Sequence, residues 1–464
     1  MLFGEYERKN KEFTRCTLMK NNRIQLSDHF NYQRLLRFTL PSIVMMVFTS
    51  IYGVVDGFFV SNYVGKTSFA AVNFIMPFLM ILGAVGFMFG TGGSAMIAKT
   101  LGQRDREKAN RLFSMIVYVS IVCGVVLMIL GFVLIRSAAV WLGASGSMLS
   151  DCLTYSYPIM IAVPAYIIQF AFASFFITAE KPKLGLMVTI LAGITNMVMD
   201  FLLVAVLRWG LTGAALATAL SQYVGGGVSL GYFARKNTSL LCLTRTKLDK
   251  AALWKTCTNG SSELMSNISI SIVSMLYNAQ LMKYAGENGI AAYGVIMYVN
   301  MIFLAIFLGY SIGCAPVMGY HYGAENNSEL KNLLKRSLCL IGVFSILMFV
   351  LAEFLAMPLA ALFVGYDAIL CELTVRGFQF YSFSFLFSGM AIFGSSFFTA
   401  LNNGFVSALI SFLRTMVFQM ICVLILLLWW GIDGIWISVV AAEMLAVIVT
   451  VVWMYRLRSF YHYG

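Results

Sequence analysis

Charge is scarce in this sequence. Of 464 residues, only 11 % are Asp, Glu, Lys or Arg, and 60 % are apolar. A soluble domain usually carries about 25 % charged residues, so no sizeable soluble domain is expected. Histidine is rarer still. The three present, His29, His321 and His462, form no cluster, and no zinc-type spacing occurs. Nine cysteines are scattered without a CxxC pair, most of them in apolar runs. They read as small hydrophobic side chains rather than disulfides or metal ligands. No GxxxxGK[ST] phosphate loop exists. GTGGSAM, from Gly90, is glycine-rich but lies inside an apolar run, where close helix packing is its expected use. An intramembrane protease would need a GxGD aspartate pair, a Ser–His arrangement or HExxH, and none is found. An enzyme is not expected.

What the sequence has is apolar runs of about 20 residues, each long enough to cross roughly 30 Å of hydrocarbon as a helix. Twelve can be marked, at about 38–60, 68–98, 110–136, 152–178, 184–206, 212–234, 255–283, 290–321, 330–355, 373–400, 405–429 and 433–456. A membrane β-barrel would show strands of about ten residues with alternating polarity instead. The fold class is therefore an all-α polytopic membrane protein with twelve transmembrane helices.

The net charge of +12 is distributed unevenly between the two ends of these runs. The N-terminal tail, the even-to-odd connections and the C-terminal tail together hold 26 Lys and Arg, the opposite connections five, with Arg414 inside a run. Positive connections mark the cytoplasmic side. Both termini are expected there, in a multi-pass protein of the cell (plasma) membrane, and the basic charge calls for no nucleic-acid partner. Residues 1–37 are polar and basic, without the apolar core of a secretory signal. MKNNRIQLSD, from Met19, offers a second start, so residues 1–18 are expected to be dispensable.

The chain also repeats itself at a spacing of 221. NYVGKTSFAAVNFIMPF, from Asn62, matches KYAGENGIAAYGVIMYV, from Lys283, so that Gly65 pairs with Gly286. Gly92 pairs with Gly313, and Gly102 with Gly323. WGLTGAALATALSQ, from Trp209, matches WGIDGIWISVVAAE, from Trp430. SFFITAEKP, near Ser174, matches SFFTALNN, near Ser396, with small length changes. Each half holds six runs, an even number, so both cross in the same direction and the repeat axis runs along the membrane normal. The expected domains are a cytoplasmic tail (1–37), an N-lobe of helices 1–6 (38–235), a basic interlobe linker (236–254), a C-lobe of helices 7–12 (255–457) and a second tail (458–464). Two matched bundles around a central cleft suit alternating access, and a transporter is the expected class.

Five acids lie in or near apolar runs: Asp56, Asp200, Glu263, Glu353 and Glu443. An acid at the bilayer centre costs about 2.5–3.5 kcal/mol on insertion scales, so such residues are candidates for function. Asn196 precedes Asp200 by one helical turn and shares its face. Thr218 and Gln222 are likewise four apart on helix 6. If helices 1, 5 and 6 pack together, Asp56, Asn196, Asp200 and Thr218 form a hard, oxygen-rich site for Na⁺ or for a proton, because two close acids cannot both stay ionised cheaply. The repeat is a control. Asp56 faces Tyr277, Asp200 faces Ile421, Asn196 faces Val417 and Gln222 faces Glu443. The acidic pair belongs to the first half alone, which favours a site over an architectural role. Glu263, with Asn267 one turn on, is a candidate to neutralise a cationic substrate, or else a residue near the cytoplasmic interface. Glu443 reads as interhelical glue, Glu353 as a residue near the external interface and Glu180, in TAEKPK, as a loop residue. Tyr277 and Asn278 are the candidate substrate contacts.

The segments VVDGFFVSNYVG (helix 1), NMVMD (helix 5) and GLTGAALATALSQ (helix 6), in this order and spacing, resemble the multidrug and toxic compound extrusion (MATE) family over about residues 20–460. NGSSELMSN, from Asn259, is similar to its MepA-like subgroup of bacterial multidrug exporters. The resemblance implies a V-shaped fold of two six-helix lobes and export of drugs against an inward Na⁺ or H⁺ gradient, with no other cofactor. It also implies that Asp56, Asn196, Asp200 and Thr218 match the family's N-lobe cation site. Some members carry an acid deeper in helix 7. Here Glu263 is only three residues past Gly260, so the expectation covers the N-lobe residues alone. The expected substrates are cationic amphipathic compounds in a cleft softened by some of the 28 Met and 38 Phe, and the chain is expected to act as a monomer among membrane lipid. The competing reading is a lipid-linked oligosaccharide flippase of related architecture. That would call for several cleft Arg or Lys to meet pyrophosphate, where only Arg414 is clearly intramembrane.

Overall fold

The structure, a computed structural model, describes residues 24–142, 144–235, 237–365 and 367–463. The second start at Met19 and the dispensable 1–18 lie outside these residues. All twelve apolar runs form helices, and no strand occurs among the described residues. The first half comprises α1 (Tyr32–Val64), α2 (Lys66–Gly102), α3 (Arg106–Leu142), α4 (Gly146–Thr178), α5 (Pro182–Val206) and α6 (Gly210–Ala234). In the second half, one helical stretch, Lys250–Gly323, breaks at Gly286 (φ 62°, ψ −151°) into α7 (250–285) and α8 (287–323). Then follow α9 (Asn327–Val364), α10 (Ala368–Ser382 and Phe385–Ala400, bent by 50°), α11 (Gly404–Trp430) and α12 (Ile432–Leu457).

Caps explain why helices begin earlier than hydropathy suggests. Asn31 accepts a hydrogen bond from Arg34 N at 2.8 Å and starts α1 at Tyr32 rather than near 38. Asp249 accepts from Ala252 N at 3.0 Å and starts α7 at Lys250 rather than near 255. An Asn or Asp cap satisfies one of the free amides of a first turn. Nine helices are long and apolar enough to cross a membrane by themselves among the described residues, and the bent α10 makes a tenth. The other two, α6 and α7, are more polar. The first is rich in Gly and Ala and carries Ser221 and Gln222, and the second carries Asn259, Glu263 and Asn267.

The duplication is written into the backbone. Left-handed φ recurs at paired positions: Gly65 (126°) with Gly286 (62°), Arg104 (63°) with Glu325 (54°), and Gly210 (58°) with Gly431 (57°), each pair 221 residues apart. Glu180 (59°) and Asn402 (60°), 222 apart, form a fourth pair. A non-glycine residue in this region is uncommon, so the recurrence marks the same helix ends in both halves. Two features are not duplicated. α4 runs unbroken where α10 bends. The wide π turns also differ: α5 has one at Phe201–Val206, directly after Asp200, and α11 has one at Leu413–Val417, containing Arg414.

The lobes meet backbone to backbone on the side that carries the basic connections. A Cβ on Gly102 would lie 2.1 Å from Tyr320 O, and one on Gly323 2.0 Å from Lys99 O. Gly92 and Gly260 cross in the same way, their added Cβ atoms 2.1 Å from Thr256 O and 2.0 Å from Met88 O. α1 reaches across too, with Gly309 of α8 against Ile43 and Gly313 against Thr39. Nearer the opposite side, Gly53 and Gly294 have open space where a Cβ would be.

A strap preceding α1 ties the two lobes over this closed side. Leu26 and Phe30 are fully buried. Leu26 N donates to Glu180 Oε1 of the N-lobe at 2.7 Å. Phe30 N donates to Glu329 Oε1 of the C-lobe at 2.9 Å, and His29 Nδ1 lies 2.6 Å from Glu329 Oε2. Glu180 is a loop residue, as its sequence context suggests. Burial pushes its carboxyl above the usual range, opposed by the Leu26 amide.

A side chain at Gly102 or Gly323 must push main chain apart, at a cost of about 1–3 kcal/mol. Gly102→Val and Gly323→Val are each expected to lower the thermal unfolding midpoint in detergent, while Gly227→Val, where space is open, leaves it nearly unchanged. Equal midpoints in all three variants would contradict the close crossing.

Candidate functional site

Two polar regions interrupt the apolar interior, one in each lobe. The first lies where α1, α5 and α6 meet. Gly193 of α5 sits against the Phe48 ring of α1, where its missing Cβ would fall 2.4 Å away. This close approach brings the polar faces of α1 and α5 together. Asp200 is fully buried, Asn196 is 2 % exposed and Asp56 8 %. The Asp56 side chain interacts with Asp200, Asn196 and Thr218. Of these contacts, Thr218 Oγ1 to Asp56 Oδ1, at 3.5 Å, has hydrogen-bond geometry, at the long limit.

Both Asp200 carboxyl oxygens and Asn196 Oδ1 are buried with no hydrogen-bond partner among the described residues. A buried acceptor left without a partner costs about 1–3 kcal/mol, and more when charged. An unpaired carboxylate cannot stay bare in such a place, so a proton or a small cation fits there. Sequence reasoning missed one member of this cluster, Tyr155 of α4. It is fully buried, its hydroxyl has no hydrogen-bond partner among the described residues, and it lies near Thr218 within the field of both carboxylates. A tyrosine in an apolar run reads as packing. The one signal was that a buried phenol needs a hydrogen-bond partner, and α4 supplies none of its own.

The second region is a cavity of about 300 Å³, the lower end of the range for small-molecule sites. Its polar wall belongs to the C-lobe: Glu263, Tyr277, Tyr293, Tyr381, Arg414 and Glu443. Phe87, Thr91 and Met46 close it from the N-lobe. Tyr277 is held by two hydrogen bonds, to Gln419 Oε1 at 2.8 Å and to Ser438 Oγ at 2.7 Å, and its ring stacks on Tyr293 at 5.5 Å. Arg414 Nε donates to both oxygens of Glu443, at 3.0 and 2.8 Å.

The structure therefore brings Asp56, Asn196, Asp200 and Thr218 together, and sets Glu263 and Tyr277 on the cavity wall. Asn278 is corrected. It is exposed and outside the cavity, because one residue along a helix turns the side chain about 100° from Tyr277. Glu443 does join helices, as Arg414's partner, but also faces the cavity. Glu353 of α9 accepts a hydrogen bond from Ser382 of α10. Tyr293, Tyr381 and Arg414 were not singled out as cavity residues by sequence. Tyr381 lies beside the bend of α10 and Arg414 in the π turn Leu413–Val417, and neither feature shows in hydropathy.

Residues 41–202 and 264–425, one stretch in each lobe, both match the MatE family. The chain belongs to the MatE family. Membership makes it a secondary transporter rather than an enzyme. The chain is 23 % identical over 437 residues to the multidrug export protein MepA of Staphylococcus aureus strain MRSA252, covering 92 % of this chain and 94 % of that one. It is 26 % identical over 313 residues to MepA of Staphylococcus haemolyticus, covering 67 % and 69 %. The fold is shared with a crystallised MATE protein in complex with MaL6, at TM-score 0.89 and 22 % identity, over 94 % of this chain and 98 % of that one. An outward-facing multidrug resistance MATE transporter of the MOP superfamily matches at TM-score 0.89 with the same identity and coverage.

Neutralising Asp200 removes the unpartnered buried charge. In sodium-free buffer at pH 8, Asp200→Asn is expected to unfold at a higher temperature than the unsubstituted protein. Added Na⁺ or acid is expected to raise the midpoint of the unsubstituted protein, a hundredfold excess over Kd adding about 2.7 kcal/mol of stability, and not that of the variant. A variant that still responds to the ion would place ion binding elsewhere.

Proposed function

We propose that this MatE-family chain is a multidrug efflux transporter of the cell membrane. It exports cationic amphipathic compounds in exchange for Na⁺ or H⁺, as a monomer with both termini cytoplasmic. One observation carries the reading: a buried acid pair in the N-lobe, with no hydrogen-bond partner for either Asp200 oxygen among the described residues, separate from an aromatic, acid-bearing cavity against the C-lobe. An exchanger needs these two places, one for the coupling ion and one for cargo. The curated relatives named as multidrug exporters support the cargo class. The excess of basic connections supports the orientation, which makes the closed side cytoplasmic.

In this reading Asp56 and Asp200 capture the ion, Asn196 and Thr218 add neutral oxygens, and Tyr155 adds its phenol. One charge moving through 100 mV supplies about 2.3 kcal/mol. The ion drives exchange only by binding the outward- and inward-open states with different affinity. Glu263 meets the cationic centre of the drug, and Tyr277 and Tyr293 offer ring faces. A flippase for pyrophosphate-linked sugars fits less well. Arg414, the cation on the cavity wall among the described residues, is committed to Glu443.

Purified protein in liposomes, with Na⁺ and pH gradients imposed separately, is expected to take up a cationic dye under one of them. Asp200→Asn is expected to abolish uptake while remaining folded and inserted. Uptake driven by neither gradient, or full activity of that variant, would defeat the exchanger reading.

A further inference from the structure

The C-lobe wall holds three charged side chains, and their pairing is unequal. Arg414 of α11 and Glu443 of α12 form an ion pair at 2.8 Å, their side chains 14 % and 6 % exposed. Glu263 of α7 lines the same cavity within the field of Arg414, yet it makes no ion pair among the described residues. Two carboxylates thus share one guanidinium, which leaves one uncompensated negative charge, at Glu263.

The fold does not require this triad. At the 221-residue spacing, the N-lobe has Gly193 in place of Arg414, Gln222 in place of Glu443 and Ser42 in place of Glu263, and it builds the same six-helix bundle. The π turn Leu413–Val417, which carries Arg414, has no counterpart at the equivalent place in α5, whose own π turn is at Phe201–Val206. Helix widening of this kind concentrates at functional sites. A buried ion pair kept for packing alone is weak support for a fold.

We propose that Glu443 is a positioning residue that sets the charge selectivity of the cavity, holding Arg414 away from Glu263 so that the site accepts organic monocations. This rests on the drug-exchange reading and deepens it to a substrate class. The net cavity charge follows by simple bookkeeping. With Glu443 and Arg414 paired, Glu263 leaves −1. Without Glu443, the freed guanidinium compensates Glu263 and the wall becomes neutral. Without Arg414, two carboxylates remain and the wall favours dications. With both removed, Glu263 alone restores −1.

Ethidium and propidium share one aromatic ring system and carry one and two positive charges, so they separate charge from shape. Binding is measured by fluorescence polarisation with full-length protein in detergent, without any gradient. Glu443→Gln is expected to weaken ethidium about tenfold. Arg414→Gln is expected to tighten both dyes, propidium about tenfold and ethidium less. Glu443→Gln with Arg414→Gln is expected to return both Kd values to within about threefold of the starting protein, since one charge at Glu263 sets both sites. A purely structural ion pair predicts that the two single variants lose both dyes together, whatever their charge, and that outcome overturns the proposal. If Glu443→Gln fails to fold because its arginine is left unpaired, the ratio of ethidium to propidium Kd in Arg414→Gln and in the double variant still decides. It must rise in the first and fall back in the second. Binding is read without transport, so a failed liposome exchange removes the exchanger reading and leaves the charge order intact. The converse pattern removes this proposal alone.

Discussion

A carboxylate in hydrocarbon must find a counter-charge, a proton or hydrogen bonds, because no water supplies them. The two lobes meet this demand in opposite ways on one backbone plan. In the C-lobe, Glu443 is held at 2.8 Å by Arg414, and the pair is satisfied by the protein itself. In the N-lobe, both oxygens of Asp200 lack hydrogen-bond partners among the described residues, beside an Asp56 whose contact to Thr218 is a long one. A satisfied pair is fixed. An unsatisfied one is free to take and release a small ion, which is what an exchanger asks of a coupling site.

The second constraint is mechanical. Glycine crossings between α2 and α7, and between α2 and α8, leave no room for a side chain, so the basic side closes as main chain on main chain. The strap from Leu26 to Phe30 ends on Glu180 in one lobe and Glu329 in the other. Opening this side therefore means parting helix backbones and releasing at least one of those carboxylates. Such contacts are lost together or kept together.

Much of this was legible in the sequence for definite reasons. The twelve helices follow from hydropathy, and the 221-residue repeat pairs Gly65 with Gly286, the two places where the structure then shows matching breaks. The cluster of Asp56, Asn196, Asp200 and Thr218 was readable because helical spacing puts polar residues on shared faces, and because the repeat showed those faces to be absent from the second half. Tyr155 was not readable, since aromatic residues are common in apolar runs and only its packing against the cluster distinguishes it. Asn278 was misread through proximity in sequence, which a helix does not turn into proximity in space. The Arg414–Glu443 contact joins two helices, and nothing in local spacing reports it.

The placement of Asp56 links the two demands. It lies on α1, and α1 is also the N-lobe helix whose Thr39, Ser42 and Ile43 pack against Gly309 and Gly313 of α8, with Ser50 Oγ reaching Met301 O at 3.4 Å. One helix therefore carries an acid of the buried cluster toward one end and packs against the opposite lobe toward the other. Its π turn, Val60–Val64, begins one turn past Asp56, where the helix is already widened. In the proposed exchange, an ion drawing Asp56 toward Asp200 would act on the same helix that would have to leave α8 for the basic side to open. The C-lobe has Tyr277 at the matching place, tied by two hydrogen bonds to Gln419 and Ser438, and it holds no comparable handle. In the proposed exchange the asymmetry of the acids has a physical reason: a repeat gives two matched lobes, and an ion-taking pair of aspartates on only one of them would give their relative motion a direction.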